Sequence, residues 1–286
     1  MAQPRIILDD QTAKPRVALF NANGELPFDV FTGKFRFIRK GARFSPLASD
    51  YFAKVESGGG TVVDKQFTNA LLVELEQMGI YDDAVCVVGP RLGNTLRPDS
   101  GDLYVSRAWD ASPAEEDWSQ PTEVEQPQLT DGVWLFDGTD MRLVRGTSLD
   151  LNDFTAIVRA SIDQLSIDYG ALFGLNSTQY WSASTPSRYR MNINNEGMAA
   201  MDFPSSTFPT GMFQNHTLRR SGNDVDGRSD GVHSLESLEY AGAWAPAFLF
   251  AYRIGSSMDG AGSTALVFST ALSDGQIDAL HEFLNT

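Results

Sequence analysis

The sequence predicts a mainly β protein, a two-layered sandwich preceded by a small α+β region. Three observations predict it. From residue 133 onward, short apolar-rich runs recur roughly every ten residues with Gly, Asn and Pro between them, an all-β signature. Phenylalanine is used heavily, at 18 residues, as suits inner sheet faces that stack large side chains. Helical periodicity is confined to 49–79 and to a closing segment at 273–285. A length of 286 residues fits one large or two modest domains.

Residues 1–48 form a basic N-terminal docking arm. Ile6-Ile7-Leu8 and Arg16-Val17-Ala18-Leu19-Phe20 read as strands, with a turn at Asn21-Ala22-Asn23-Gly24. Phe31 to Lys40 alternates Phe35 and Phe37 with cations, which predicts a strand with a basic face. The arm carries eight Lys/Arg against four Asp/Glu, a net +4. The whole chain is at -15, so the remainder stands at -19. A basic arm before an acidic body predicts docking, and Arg16, Lys34, Arg36, Arg39, Lys40 and Arg43 are the candidate docking cations. Strand addition to a partner sheet is the expected mode. A solvated charged loop is the competing reading.

Residues 49–88 form a small helical adaptor. Ser49 or Asp50 caps a short helix carrying Tyr51, Phe52 and Val55, and Gly58-Gly59-Gly60 ends it. Asp64 then caps a second helix. Its stripe is Phe67, Leu71, Leu75 and Met78, with Gly79 past the end. Cys86 sits in the apolar run Ala84–Val88 and reads as a small buried hydrophobe. A single cysteine makes no internal disulfide and implies no oxidising compartment.

Residues 89–125 read as a Pro-rich acidic connector over the surface, anchored by Trp109 and Trp118. Residues 126–286 form the sandwich with its closing helix. Strands are expected at 133–137, 141–145, 154–162, 169–175, 188–194, 197–203, 215–221, 247–253 and 263–269. Ser273 caps the helix, whose Ile277, Leu280 and Leu284 face inward. Phe136, Phe154, Ile157, Phe173, Phe250, Val267 and Leu280 are predicted to share one core.

Two stretches carry a family resemblance. The first joins Gln126-Pro127-Gln128-Leu129 and Gly132-Val133-Trp134-Leu135-Phe136-Asp137-Gly138-Thr139-Asp140-Met141-Arg142-Leu143 to Phe154-Thr155-Ala156-Ile157-Val158-Arg159-Ala160. It ends at Ala271-Leu272-Ser273-Asp274-Gly275-Gln276-Ile277-Asp278-Ala279-Leu280-His281-Glu282-Phe283-Leu284. It resembles the concanavalin A-like (laminin-G-like) β-sandwich of bacteriophage virion structural proteins. The second, Asp50 to Val62 followed by Gly79-Ile80-Tyr81-Asp82, is similar to a helical unit that precedes such modules in phage proteins. The resemblance implies a decoration, collar or tail-fibre protein, placed in the virion and assembled in the host bacterial cytoplasm. Its implied partners are other virion subunits (capsid, collar or tail proteins), further copies of itself, a trimer among the forms, and surface glycans.

Composition narrows the function. The acidic charge disfavours nucleic acid, whose phosphates need Lys and Arg, and an anionic membrane. No apolar run approaches a membrane-spanning length, and Met1-Ala2-Gln3-Pro4-Arg5 opens no signal-peptide apolar region. The sequons at Asn176 and Asn215 read as chance.

No catalytic motif is complete. The nearest match to paired strand carboxylates is Glu115-Glu116-Asp117-Trp118-Ser119, which ends in Ser and lies in the connector. Glu236-Ser237-Leu238-Glu239 has the wrong spacing for one strand face. No G-x-S-x-G turn and no phosphate loop occur. His216, His233 and His281 are scattered, with His281 expected at the surface or as a cap, and no cofactor or metal is expected. Asn223 to Gly231 is oxygen-rich but fails as an EF-hand, and reads as a hairpin connection. The best glycan-contact cluster is Tyr180 and Trp181 with Arg188 and Tyr189. Strand alternation turns one of Tyr180 and Trp181 outward, and a core role for Trp181 competes with the sugar reading. Together these features predict a non-catalytic binding and assembly protein. The alternatives are a receptor-recognition fibre tip and an endo-acting glycoside hydrolase.

Overall fold

The backbone divides into two units, Met1–Ser45 and Pro46–Thr286. The computed structural model describes residues 44–176, 179–193 and 198–286, and the backbone of four strands within 1–43. In the first unit β1 (Pro4–Leu8) pairs antiparallel with β2 (Pro15–Leu19), and β3 (Phe28–Asp29) with β4 (Arg36–Phe37). The strand expected at 6–8 falls in β1 and that at 16–20 in β2 as far as Leu19, with Phe20 outside the described residues. The expected turn at 21–24 lies outside the described residues.

Helix α1 (Pro46–Ser57) opens the second unit four or five residues earlier than a cap at Ser49 or Asp50 would have it. Proline suits the first helical position because its missing N–H is one that no helix bond uses. After β5 (Thr61–Val62) comes α2 (Lys65–Gln77). Asp64 caps it, accepting from the amides of Gln66 and Phe67, a cap worth about 1 kcal/mol. Gly79 takes φ +67 behind it, as a helix exit requires.

The strands follow: β6 (Ala84–Val88), β7 (Gly93–Asp99), β8 (Asp102–Ala108), β9 (Trp118–Ser119), β10 (Gln128–Thr130), β11 (Val133–Asp137), β12 (Leu143–Arg145) and β13 (Phe154–Ile162). Next are β14 (Ala171–Asn176), β15 (Gln179–Thr185), β16 (Arg188–Asn192), β17 (Ala199–Asp202), β18 (Phe213–Ser221) and β19 (Asp224–Ser229). The short strands β20 (Val232–His233), β21 (Leu238–Glu239), β22 (Phe248–Leu249), β23 (Ala251–Arg253) and β24 (Ser256–Ser257) lead to β25 (Asp259–Phe268) and α3 (Asp274–Leu284).

The predicted class, mainly β, is the class observed. Hydrogen bonds link 19 strands into one sheet, and that sheet curls into two layers. One layer runs β19-β18-β13-β25, with β6 and β11 sharing the far edge of β25. The other runs β17-β16-β15-β14-β22-β12-β9. Phe154, Ala156, Val158, Ala160 and Ile162 of β13 meet Phe173, Trp181, Tyr189 and Met191 of the opposite layer in one core cluster. Trp244 bridges them, 4.6 Å from Phe154 and 5.5 Å from Phe173 between ring centres.

Three expectations change. Residues 89–125 are no surface connector, since β7, β8 and β9 extend the sheet and bury Val105, Ala108 and Trp118. The prolines mislead because Pro98 sits at the exposed end of β7. Asn223–Gly231 is mostly a strand, with β19 paired along β18. Among the described residues no group of three His, Cys, Asp or Glu could hold a metal ion. The single predicted core is two: Phe136, Phe154, Phe173, Phe250 and Val267 fill the sandwich interior. Ile157 and Leu280 are buried on the other face of β13, beneath α3.

Helix α3 is fixed by a capping box in which Ser273 and Gln276 exchange bonds with each other's backbone. Its Ile277, Leu280 and Leu284 are buried, each contributing at most about 1.5–3 kcal/mol. Polar contacts lie among them. Arg228, 1 % exposed, pairs with Asp274 and reaches Asp278 at 3.5 Å. Among the described residues no helix is long and apolar enough to cross a membrane.

Candidate functional site

Beside the ends of α2 and α3 lies an open cleft of about 570 Å³. Its floor is a register fault. Val158 pairs with Ala265 and Ala160 with Gly262, so Arg159 faces two residues, Ser263 and Thr264. On the other edge of β25, β6 covers 265–268 and β11 covers 259–262. The same two residues therefore sit where the neighbouring strand changes. A bulge of this kind re-aims side chains that a regular ladder would hold flat.

Ser263 is 9 % exposed and Thr264 1 %, and both line the cleft. Neither hydroxyl has a hydrogen-bond partner among the described residues. Gly89 lies alongside, where an added methyl would come 3.2 Å from the Thr264 hydroxyl.

The walls carry charge. Arg91 Nη2 bonds Asp64 Oδ2 at 2.9 Å, and its guanidinium stacks 3.7 Å over the Phe67 ring. Burial alone would raise the Asp64 carboxyl. The Phe67 amide and the Arg91 guanidinium outweigh it and hold the carboxyl below its usual value. Arg159 lies 5.5 Å from the Phe213 ring and donates to the carboxamide of Asn285. Burial lowers its pKa, partly offset by Asp230. Among the described residues no carboxylate forms an ion pair with Arg159. The Asp131-Gly132 turn, at φ 47 and 77, closes the rim.

A second, narrow pocket of about 90 Å³ surrounds Asp110, with Tyr51, Lys54, Tyr81 and Glu115 in its wall. Burial pushes Asp110 up to about 6, against the pull of bonds from Ser112 and Val87. This corrects the reading of 110–125 as uniformly solvated, for Asp110 is fully buried. Glu116 goes the other way. Bonds from Thr147 and the nearby Arg145 outweigh its burial and lower it. Both Asp110 oxygens are committed: Oδ1 accepts from the Val87 and Ser112 amides, and Oδ2 from the Ser112 hydroxyl, each at 2.8 Å.

The predicted glycan cluster is not a surface. Trp181 is fully buried and parallel to Phe173, with ring centres 6.4 Å apart. Tyr180 turns to the opposite face, as alternation requires, but lies under Tyr252 at 4.8 Å and is 2 % exposed. Tyr189 is fully buried, 3.0 Å from His216 Nδ1 and donating to the Arg228 carbonyl at 2.9 Å. Arg188 is partly exposed and paired with Asp202. No ring of the three is free to stack on a sugar. Of the candidate docking cations, Arg16 lies in β2 and Arg36 in β4. Lys34, Arg39, Lys40 and Arg43 lie outside the described residues. His281, expected at the surface, is buried against Thr217.

Sequence reasoning missed Arg91, Arg159, Ser263 and Thr264 as a group. One signal was present: Arg159 is a lone cation in the apolar strand run Phe154–Ala160.

No family model matches the chain, and no curated protein matches it. Among solved structures, it is similar to the ligand binding domain of botulinum neurotoxin serotype D in complex with N-acetylneuraminic acid. The TM-score is 0.46 at 10 % identity, covering 72 % of this chain and 52 % of that one. It is similar to Trypanosoma rangeli sialidase in complex with 2,3-difluorosialic acid, with TM-score 0.48, 11 % identity, and 99 % and 44 % covered. It is also similar to the SAP-like pentraxin of Limulus polyphemus, with TM-score 0.36, 14 % identity, and 47 % and 72 % covered. The chain spans about half the length of the toxin domain and of the sialidase.

Proposed function

We propose that this chain is a non-catalytic binding and assembly protein of a tailed bacteriophage particle, docking through residues 1–45 and contacting glycan through its sandwich. The cleft at the Ser263–Thr264 bulge carries the binding half of this reading. It combines a guanidinium without a carboxylate partner among the described residues, two uncommitted hydroxyls, and a volume within the range of small-ligand sites. Sequence resemblance supports the assembly half, together with the +4 arm on a -19 body.

Hydrolysis is the weaker reading. A glycosidase keeps one carboxyl protonated across the scissile bond from an ionised one. In the cleft, Asp64 is held ionised by the Phe67 amide and by Arg91. The carboxyl with the raised pKa, Asp110, sits in a pocket far below ligand size with both oxygens already bound.

Two measurements test the proposal. Particles assembled with a chain lacking residues 1–45 should lack the protein, while the truncated chain stays folded. Purified full chain should bind host polysaccharide in a pull-down and release no reducing ends on long incubation. Normal incorporation of the truncation would remove the docking role. Reducing ends that vanish in Asp110→Asn would make the protein a hydrolase.

A further inference from the structure

We infer that the cleft takes a carboxylate-bearing sugar, a hexuronate or a related acidic monosaccharide unit, with its carboxylate on Arg159 and its hydroxyls on Ser263 and Thr264. This rests on the binding reading above and specifies its ligand.

Arg159 is the anchor because it is the uncompensated charge. A guanidinium offers five N–H donors. One goes to the Asn285 carboxamide, and four have no described protein partner. Burial costs this cation solvation without supplying a counter-charge at contact range. Asp230 acts on it from beyond ion-pair distance. A planar carboxylate fits the guanidinium fork with two parallel bonds.

Arg91 is not a second anion site. Asp64 already neutralises it, and Phe67 occupies its face. Asp64 and the exposed Asp131 instead offer carboxylate oxygens that accept from sugar hydroxyls. One free cation flanked by two anions places a single carboxylate in the cleft and leaves the unit's other contacts to hydroxyls.

The hydroxyls sit beside the anchor by construction, since the bulge sets both of them opposite Arg159. Both hydroxyls line the cleft without a described protein partner, so a ligand group that bonds them takes the place of solvent there. Ring stacking contributes little. Arg91 covers Phe67, and Arg159 lies near Phe213.

The test is calorimetric titration of the full chain with oligosaccharides of glucuronic and galacturonic acid, and with the same oligosaccharides after reduction of their carboxyls to alcohols. The reduced forms should bind at least about tenfold more weakly, a comparison that needs no variant. Arg159→Gln, checked for an unchanged melting temperature, should lose the same factor toward the acidic form and nothing toward the reduced form. Ser263→Ala should weaken both forms alike.

Equal affinity for acidic and reduced forms overturns the inference. If neutral glycans bind with no dependence on Arg159, this inference fails and the binding reading stands. If no oligosaccharide binds while particles still incorporate the chain, the carboxylate site and the glycan role both fall and the docking role remains.

Discussion

The Thr217 hydroxyl lies 2.7 Å from His281 Nε2, with both side chains buried. Thr217 stands in register between Ile157 and Arg228 on the sheet. The contact therefore pins α3 to the centre of the outer face, where Arg228 engages Asp278 one turn earlier and Asp274 two turns earlier. A helix held by apolar contacts alone could slide by a turn; these polar partners specify one seating.

Thr217→Val keeps the shape and removes the hydroxyl. His281 then keeps a buried ring nitrogen without its partner, which should cost about 1–3 kcal/mol in a urea melt. Thr217→Ser should restore most of it. A loss near zero for the valine variant would mean that the contact does not hold the helix.

Stability should respond to acid through two opposed groups. Burial, with His281 nearby, pushes His216 down to about 3, and burial lowers His281 as well. The unfolded chain then binds more protons than the folded one below the ordinary histidine value of 6.5, and stability falls as pH drops toward 3. Asp110 does the reverse. Its folded value of about 6 exceeds the unfolded 3.8, so its contribution is complete below 3.8 and is lost as pH rises through about 6. Asparagine at position 110 can accept the two amide bonds on its Oδ1 and donate from Nδ2 to the Ser112 hydroxyl, which reverses the third bond without a charge. Asp110→Asn should therefore gain roughly 3 kcal/mol relative to wild type between pH 3.5 and pH 7. Parallel stability curves for the two proteins would refute the buried-carboxylate account.

Phe250 and Gly262 are matched. A methyl added at Gly262 would come 2.6 Å from the Phe250 ring, which also packs 4.9 Å from Phe136. Phe250→Ala should cost about 3–5 kcal/mol by opening a cavity. Gly262→Ala should destabilise in the wild type and cost much less beside Phe250→Ala. Additive losses in the double variant would show that the two sites do not touch.

Residues 46–286 should fold without the first unit, since the contacts divide at Ser45–Pro46. The isolated body should give one cooperative melt, and loss of that transition on truncation would contradict the division.

Much of the fold was legible because burial imposes period. Phe154–Ile162 alternates between two buried faces, and Ser273 announces a capped helix, so both were placed to the residue or nearly so. Strand β19 was hidden by its turn-like composition. Gly227 stands mid-strand because a Cβ there would meet Met201 at 2.6 Å and Phe203 at 3.0 Å, a reason that exists only once the other layer is in place. Strand β15 was missed because its buried Ser182 and Ser184 read as polar surface. The cleft was illegible for a related cause. Ser263 and Thr264 become neighbours of Arg159 through a bulge, and a bulge belongs to a pair of strands rather than to either one.

Strand β25 lies between β13 on one edge and β6 and β11 on the other, yet it follows all three in the chain by about a hundred residues or more. The strand at the centre of the layer leaves the ribosome after all three of the strands it joins. Until residues 259–268 emerge, β6, β11 and β13 have lateral edges with no mate, and the interior stays unsealed. Local pairs such as β7–β8 can form early. Closure is a late, long-range event, slow in the way that topologies rich in distant pairings are slow, and the nascent chain must be kept from pairing those open edges with another copy of itself.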